Sequence, residues 1–194
     1  MKHLTPILLI PVLLSGCSTI MTGAAEITGL SLLHDRRSSV SLIKDERIEI
    51  NAAIKLNSYD DTREQCHFNV TAYNGTVLVT GEAPTEALRN KIISTVQTIP
   101  DVKLVHNEIK IAPLSSLSTR SYDTLITTKV KSSLSNIKNL PGFDATRVKV
   151  ITENGVVYLM GLVHKSEGHV ATEIARRETG VKQVVMIFEF IEYQ

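Results

Sequence analysis

The sequence predicts an α+β fold used twice: two tandem units, each running helix–strand–strand–helix–strand, with a three-stranded sheet packed against two helices. Three observations predict it. Asn74-Gly75 and Asn154-Gly155 each separate two runs of β-type residues. Asn-Gly is the preferred pair for a two-residue type I′ hairpin, because both positions need positive φ. The second run of each hairpin ends in glycine, at Gly81 and Gly161, 80 residues apart like the turns themselves. Each hairpin is followed by helical periodicity and then by a third apolar run, Val102-Lys103-Leu104-Val105 or Val181-Lys182-Gln183-Val184, at an offset of 79.

Taken from the start, residues 1–16 read as a signal peptide. A basic head precedes an apolar run at positions 4–14, interrupted by Pro6 and Pro11. Eleven helical residues span about 16 Å, too short for a hydrocarbon core of about 30 Å. The run ends in Leu14-Ser15-Gly16-Cys17, which looks like the lipobox of bacterial lipoproteins. That resemblance implies a diacylglyceryl group on the Cys17 thiol, cleavage before it, and acylation (palmitate) of the new amino terminus. Two chains already anchor stably at about 0.8 kcal/mol per buried methylene. Ser18, in place of the Asp that retains enteric-type lipoproteins in the inner membrane, implies sorting to the outer membrane, on its periplasmic face. Residues 17–44 then read as a flexible tether; the 27 residues after Cys17 would span roughly 30 Å as coil.

The first unit is expected over residues 45–112 and the second over 122–194, with a polar linker at 113–121. Ile50 with Ile54, and Ile126 with Val130, mark the opening helices at an offset of 76. That places four extra residues between helix and hairpin in the second unit, where 136–145, with Pro141-Gly142, reads as a loop. Leu88, Ile92 and Val96 mark the later helix of the first unit; Val170, Ile174 and Ala175 mark it in the second, with Ser166 available as a cap. One residue is missing from the second unit, in the loop before that helix. If the strands flanking it are parallel, the crossover should be right-handed.

The charges nearly balance, with 21 Lys and Arg against 20 Asp and Glu, so nucleic acid is not an expected partner. With Cys17 lipidated, Cys66 is the remaining thiol, and an internal disulfide framework is excluded. Cys66 is either a small residue at a strand start or a thiol that pairs between chains. The six histidines show no metal-ligand spacing; His164 and His169, five apart, do not share a helical face. There is no Gly-x-Ser-x-Gly elbow, phosphate loop or dinucleotide fingerprint. No catalytic residue, metal or cofactor is expected, and the chain does not read as an enzyme.

The unit resembles the BON domain, through the helix-one isoleucine and valine pattern, the strand ending in Gly81 or Gly161, and Gly180-Val181-Lys182-Gln183-Val184 at the start of strand three. Pro100-Asp101-Val102 replaces the Gly-Val in the first copy. Lipobox, tether and two such units together resemble the DolP-like family of dual BON-domain outer-membrane lipoproteins. Asp123-Thr124-Leu125-Ile126-Thr127-Thr128-Lys129-Val130, the segment from Thr152 to Val163, and Asn69-Val70-Thr71-Ala72-Tyr73 carry that likeness. The resemblance implies a non-enzymatic protein that binds anionic phospholipid, maintains membrane integrity and concentrates at division sites. It places lipid contact on the first helix of the second unit, where the family often has an aromatic residue at the position of Leu125.

The residues around that helix have the matching chemistry. Over 122–140, Lys129, Lys131 and Lys138 against Asp123 leave +2, whereas 44–57 sums to zero. Anionic headgroups attract each Lys or Arg by about 1 kcal/mol. Leu125 lies beside its i+3 and i+4 neighbours, Thr128 and Lys129, so the lipid-binding candidates are Leu125, Thr128, Lys129 and Lys131. Leu125 either meets lipid or covers the rim of its own core or an interface with the first unit. The competing function is a docking module for an envelope protein, with the third strands, 104–111 and 184–191, as exposed edges for strand addition.

Overall fold

A computed structural model describes residues 35–138 and 140–192. The signal peptide and Cys17 lie outside the described residues. The chain folds into two units of one design. In the first, helix α1 (Ser39–Asn57) is followed by the short α2 (Asp60–Gln65), the hairpin β1 (His67–Tyr73) and β2 (Thr76–Ala83), α3 (Glu86–Gln97) and β3 (Leu104–Ile111). In the second, α4 (Leu117–Ser135) leads through a 3-10 turn (Ala145–Arg147) to β4 (Lys149–Glu153), β5 (Val156–Val163), α5 (Lys165–Arg177) and β6 (Gln183–Phe190).

Each sheet has its hairpin's second strand in the centre, in the orders β1-β2-β3 and β4-β5-β6. The first pair is antiparallel and the second parallel, so α3 and α5 are the crossovers between parallel neighbours. The hairpins close as their residues require: φ is 52° and 82° at Asn74 and Gly75, and 51° and 78° at Asn154 and Gly155. The helices bury one stripe each against one face of the sheet. Ile48, Ala52, Leu56, Ile92 and Val96 meet Ala72, Val77, Val79 and Ile109 in the first core. Ile126, Val130, Leu134, Ala171 and Ala175 meet Val150, Val157, Leu159 and Val163 in the second. Cys66 is buried at the edge of the first core, and burial raises its thiol above the ordinary value, with Asp61 adding to the effect.

The opening helices align differently from the sequence expectation. Asp45, Ile48, Ala52 and Leu56 are the buried positions of α1; Asp123, Ile126, Val130 and Leu134 are those of α4. The offset is 78 at all four (123 − 45), not 76. Ile50 and Ile54 lie on the outer face of α1 instead. The reason is that α1 carries two apolar stripes, and period alone does not say which one faces inward. The second unit therefore has two extra residues before its hairpin, not four (80 − 78). The residue in α1 that matches Leu125 is Arg47 (125 − 78).

Both helices also begin earlier than expected. Ser38 caps α1 by accepting from Ser41 N, and Ser116 caps α4 by accepting from Thr119 N, so both start in segments read from sequence as tether and linker. Helix α5 starts at His164, whose backbone N–H donates to Glu167 at 2.8 Å; Ser166 lies inside it.

The second face of each sheet is buried too, against the other unit. Tyr73 and Leu78 pack with Val156, Tyr158, Met160 and Ile187. The layers run helices, sheet, sheet, helices. This explains the nearly uninterrupted apolar run of β5, since a central strand covered on both faces loses its alternation.

Candidate functional site

The expected lipid-binding side chains lie on the outward face of α4. Asp123, Ile126 and Val130 turn inward, which leaves Leu125, Thr128 and Lys129 in solvent and Lys131 half-buried at the edge. Leu125 is 56 % exposed, so it covers neither its own core nor the other unit. Leu117 and Tyr122, which the sequence reading did not single out, are 79 % and 47 % exposed on the same helix. The Thr128 hydroxyl donates to Thr124 O at 2.9 Å, and is thereby occupied within the helix.

Asp123 changes the electrostatics of this face. Its carboxylate accepts from both turn amides of the second hairpin, Asn154 N and Gly155 N, each at 2.8 Å. Asp45 does the same in the first unit, accepting from Asn74 N at 2.7 Å and Gly75 N at 2.8 Å. The negative charge counted against the second helix from sequence is thus directed inward, while Lys129 is exposed on the outward face. In α1 two of the outward charges are engaged in ion pairs. Lys44 pairs with Asp101 at 2.7 Å, and Glu49 with Lys149 of the second unit at 2.8 Å.

A second group of polar side chains sits in the seam between the sheets. Both turn asparagines cross it: Asn74 Nδ2 donates to Glu189 at 2.7 Å, and Asn154 Nδ2 to Glu82 at 2.5 Å. His67 Nδ1 lies 3.1 Å from Glu82 and 3.8 Å from Glu153, and Asn69 Nδ2 donates to Glu153 at 3.2 Å. Burial raises the Glu153 carboxyl to about 7, with neighbouring Glu82 adding to it. Burial lowers the His67 imidazole, and Arg120 lowers it further. Burial works to raise Glu82 as well, but hydrogen bonds from Asn154, Ser115 and His67 outweigh it and leave Glu82 below its ordinary value.

The seam also holds the segment before α1. Arg36 forks onto Glu167 of the second unit, with Nη2 2.9 Å from Oε1, and donates to Leu162 O at 3.2 Å. Arg37 bridges Asp35 and Asp45 and lies 3.9 Å over the Tyr73 ring.

The BON domain family model matches this chain twice, over residues 45–113 and 122–189. The chain belongs to the BON-domain family. It is a dual BON protein of the DolP type: 29% identical to Outer membrane lipoprotein DolP of Haemophilus influenzae, over 99% of this chain and 97% of that one. Homology over nearly the full length supports an outer-membrane lipoprotein. A protein described as a 21 kDa hemolysin of Actinobacillus pleuropneumoniae is 34% identical over 81% of this chain and 80% of its own. Among solved structures, the C-terminal domain of CdsD from the type III secretion system of Chlamydia trachomatis aligns at a TM-score of 0.30 and 13% identity, over 76% of this chain and 67% of that one. No helix among the described residues is long and apolar enough to cross a membrane.

Three features of these BON domains escaped the sequence reading. Asp45 and Asp123 looked like surface charge, although their shared offset with the buried positions of the opening helices was available. The residues His67, Glu82 and Glu153 are far apart in sequence, and only the packing of one BON sheet on the other unites them. The outer stripe of α1, Val40, Ile43, Ile50 and Ile54, was visible as a heptad-like spacing but was partly assigned to the core.

Proposed function

We propose that this chain is a non-enzymatic, periplasm-facing outer-membrane lipoprotein, anchored through acyl groups on Cys17. It binds anionic phospholipid through helix α4 of its second BON domain and supports outer-membrane integrity at division sites. One observation carries the lipid reading: Leu117, Tyr122 and Leu125 are exposed on α4, Leu125 one turn from Lys129, while Asp123 on the same helix is buried. Apolar groups reach the acyl boundary, tyrosine suits the interface, and a lysine next to them gains from anionic headgroups.

The test is flotation of the non-lipidated chain with vesicles of anionic or neutral phospholipid. Leu125→Glu removes an apolar contact and sets a carboxylate beside Lys129, so binding to anionic vesicles should fall about tenfold, the equivalent of about 1.4 kcal/mol. Added salt should weaken the wild type more than the variant. Arg47→Glu in the first BON domain is the matched control and should leave binding largely in place. Glu49 is unsuitable for that purpose, because it accepts from Ala72 N and pairs with Lys149 across the seam. Undiminished binding by Leu125→Glu, with an unchanged circular dichroism spectrum, would remove α4 from the lipid site.

A second reading, docking of an envelope protein without lipid specificity, is favoured by the outer stripe of α1 and by the free edges of β3 and β6. Indifference of the wild type to vesicle charge would select it.

A further inference from the structure

The two BON sheets meet around His67, Glu82 and Glu153, and we propose that these three hold one divalent cation of the zinc class that fastens the second domain to the first. The ligand atoms are His67 Nδ1, Glu82 Oε2 and Glu153 Oε1. They come from β1, β2 and β4 and lie within 4.8 Å of one another. Ligands at about 2.0–2.2 Å around tetrahedral zinc stand about 3.3–3.6 Å apart. The separations from Nδ1 of 3.1 Å to Glu82 and 3.8 Å to Glu153 lie on either side of that figure. Side-chain rotations of about an ångström would bring the three atoms to that spacing.

The surroundings are those of a coordination shell. The side chains of Glu82 and Glu153 are 3 % and 4 % exposed, and that of His67 is 18 % exposed. Asn154 and Ser115 orient Glu82, and Asn69 orients Glu153, as outer-shell donors orient metal ligands. Asp123 acts electrostatically on both His67 and Glu153, and Arg120 acts on His67.

An independent observation points into the same space. The Thr80 hydroxyl, in a residue 1 % exposed, has no partner at full hydrogen-bond geometry and lies where it acts on the Glu153 carboxyl. Thr80 pairs with Asn69 across the hairpin and precedes Glu82 by two residues, so it faces the seam with them. A water completing the metal's coordination is a partner that such a hydroxyl can take. Imidazole nitrogen together with two carboxylates selects a first-row ion such as zinc over magnesium or calcium, which prefer oxygen alone. Coordination through Nδ1 requires the imidazole proton on Nε2.

The test uses the full chain purified in detergent, stripped with a chelator and dialysed against micromolar Zn²⁺ or Co²⁺. One metal per chain is expected, with visible d–d absorption for Co²⁺ and a higher melting temperature in Zn²⁺. His67→Gln and Glu153→Gln should each weaken binding at least about tenfold and abolish the melting shift. Glutamine at 153 keeps an acceptor for Asn69, so the fold is retained and is checked by circular dichroism. His169→Gln, on the exposed side of α5, should change nothing. A wild-type chain that retains neither ion overturns the proposal, as does binding undiminished in both His67→Gln and Glu153→Gln.

Discussion

Asn-Gly is legible in a sequence because its effect is local: two adjacent residues need positive φ, and few others supply it. What holds each turn in place is not local. Asp45 and Asp123 act on amides 29 to 32 residues away, and nothing in their neighbours marks them as buried. A charged residue inside a helix reads as solvated by default. The burial of these two is balanced by two backbone hydrogen bonds apiece, of the charge-assisted kind. Gly155→Val tests the turn itself. At φ 78° a β-branched residue is strained, and the new Cβ would stand 3.0 Å from the Lys182 side chain, which can give way. Strain alone should cost about 2 kcal/mol in chemical denaturation. Lys165→Ala, at an exposed position, should stay within about 0.5 kcal/mol. Equal stabilities for the two variants would contradict the strained turn.

Strand positions were legible for a similar reason, through β-branched runs closed by turn residues, and the one-residue deletion before α5 was legible from the offsets. The register of the opening helix was not. Two stripes of isoleucine and valine share α1, and a periodicity argument ranks them equally. Their energetic roles separate them sharply. Ile48 is fully buried among Ala52, Leu56 and Ile92, whereas Ile54 is 64 % exposed and Ile50 is exposed beside it. Ile48→Ala should cost about 2–5 kcal/mol, as truncation in a packed core does. Ile50→Ala should cost no more than about 0.5 kcal/mol. Denaturation midpoints that ranked the two in the opposite order would restore the 76-residue alignment. The lipid-binding candidates on α4 depended less on register, since Ile126 and Val130 were assigned inward and are inward; Leu117 was missed because it falls in the segment read as linker, and Tyr122 because it stands at the very start of the second unit.

At the scale of the whole molecule, the duplication was plain from sequence, but the way its halves associate was not. The signal for a covered second sheet face lay in the apolar run Val156-Val157-Tyr158-Leu159-Met160, which suits burial on both sides. Anchoring is a separate property of the whole chain, and it is tested at Cys17. Cys17→Ala should leave an unprocessed precursor or release the protein from membranes on fractionation. Normal processing with retention in the outer membrane would assign the anchor elsewhere. The Arg36 fork on Glu167 bears on how such an anchor loads the protein. Tension arriving from the amino-terminal side meets Arg36 and Arg37 before it meets α1, and these residues grip both domains. A pull transmitted through Arg36 and Arg37 would load ion pairs to both domains at once. The joint would then work as a buckle, sharing the load between the two halves.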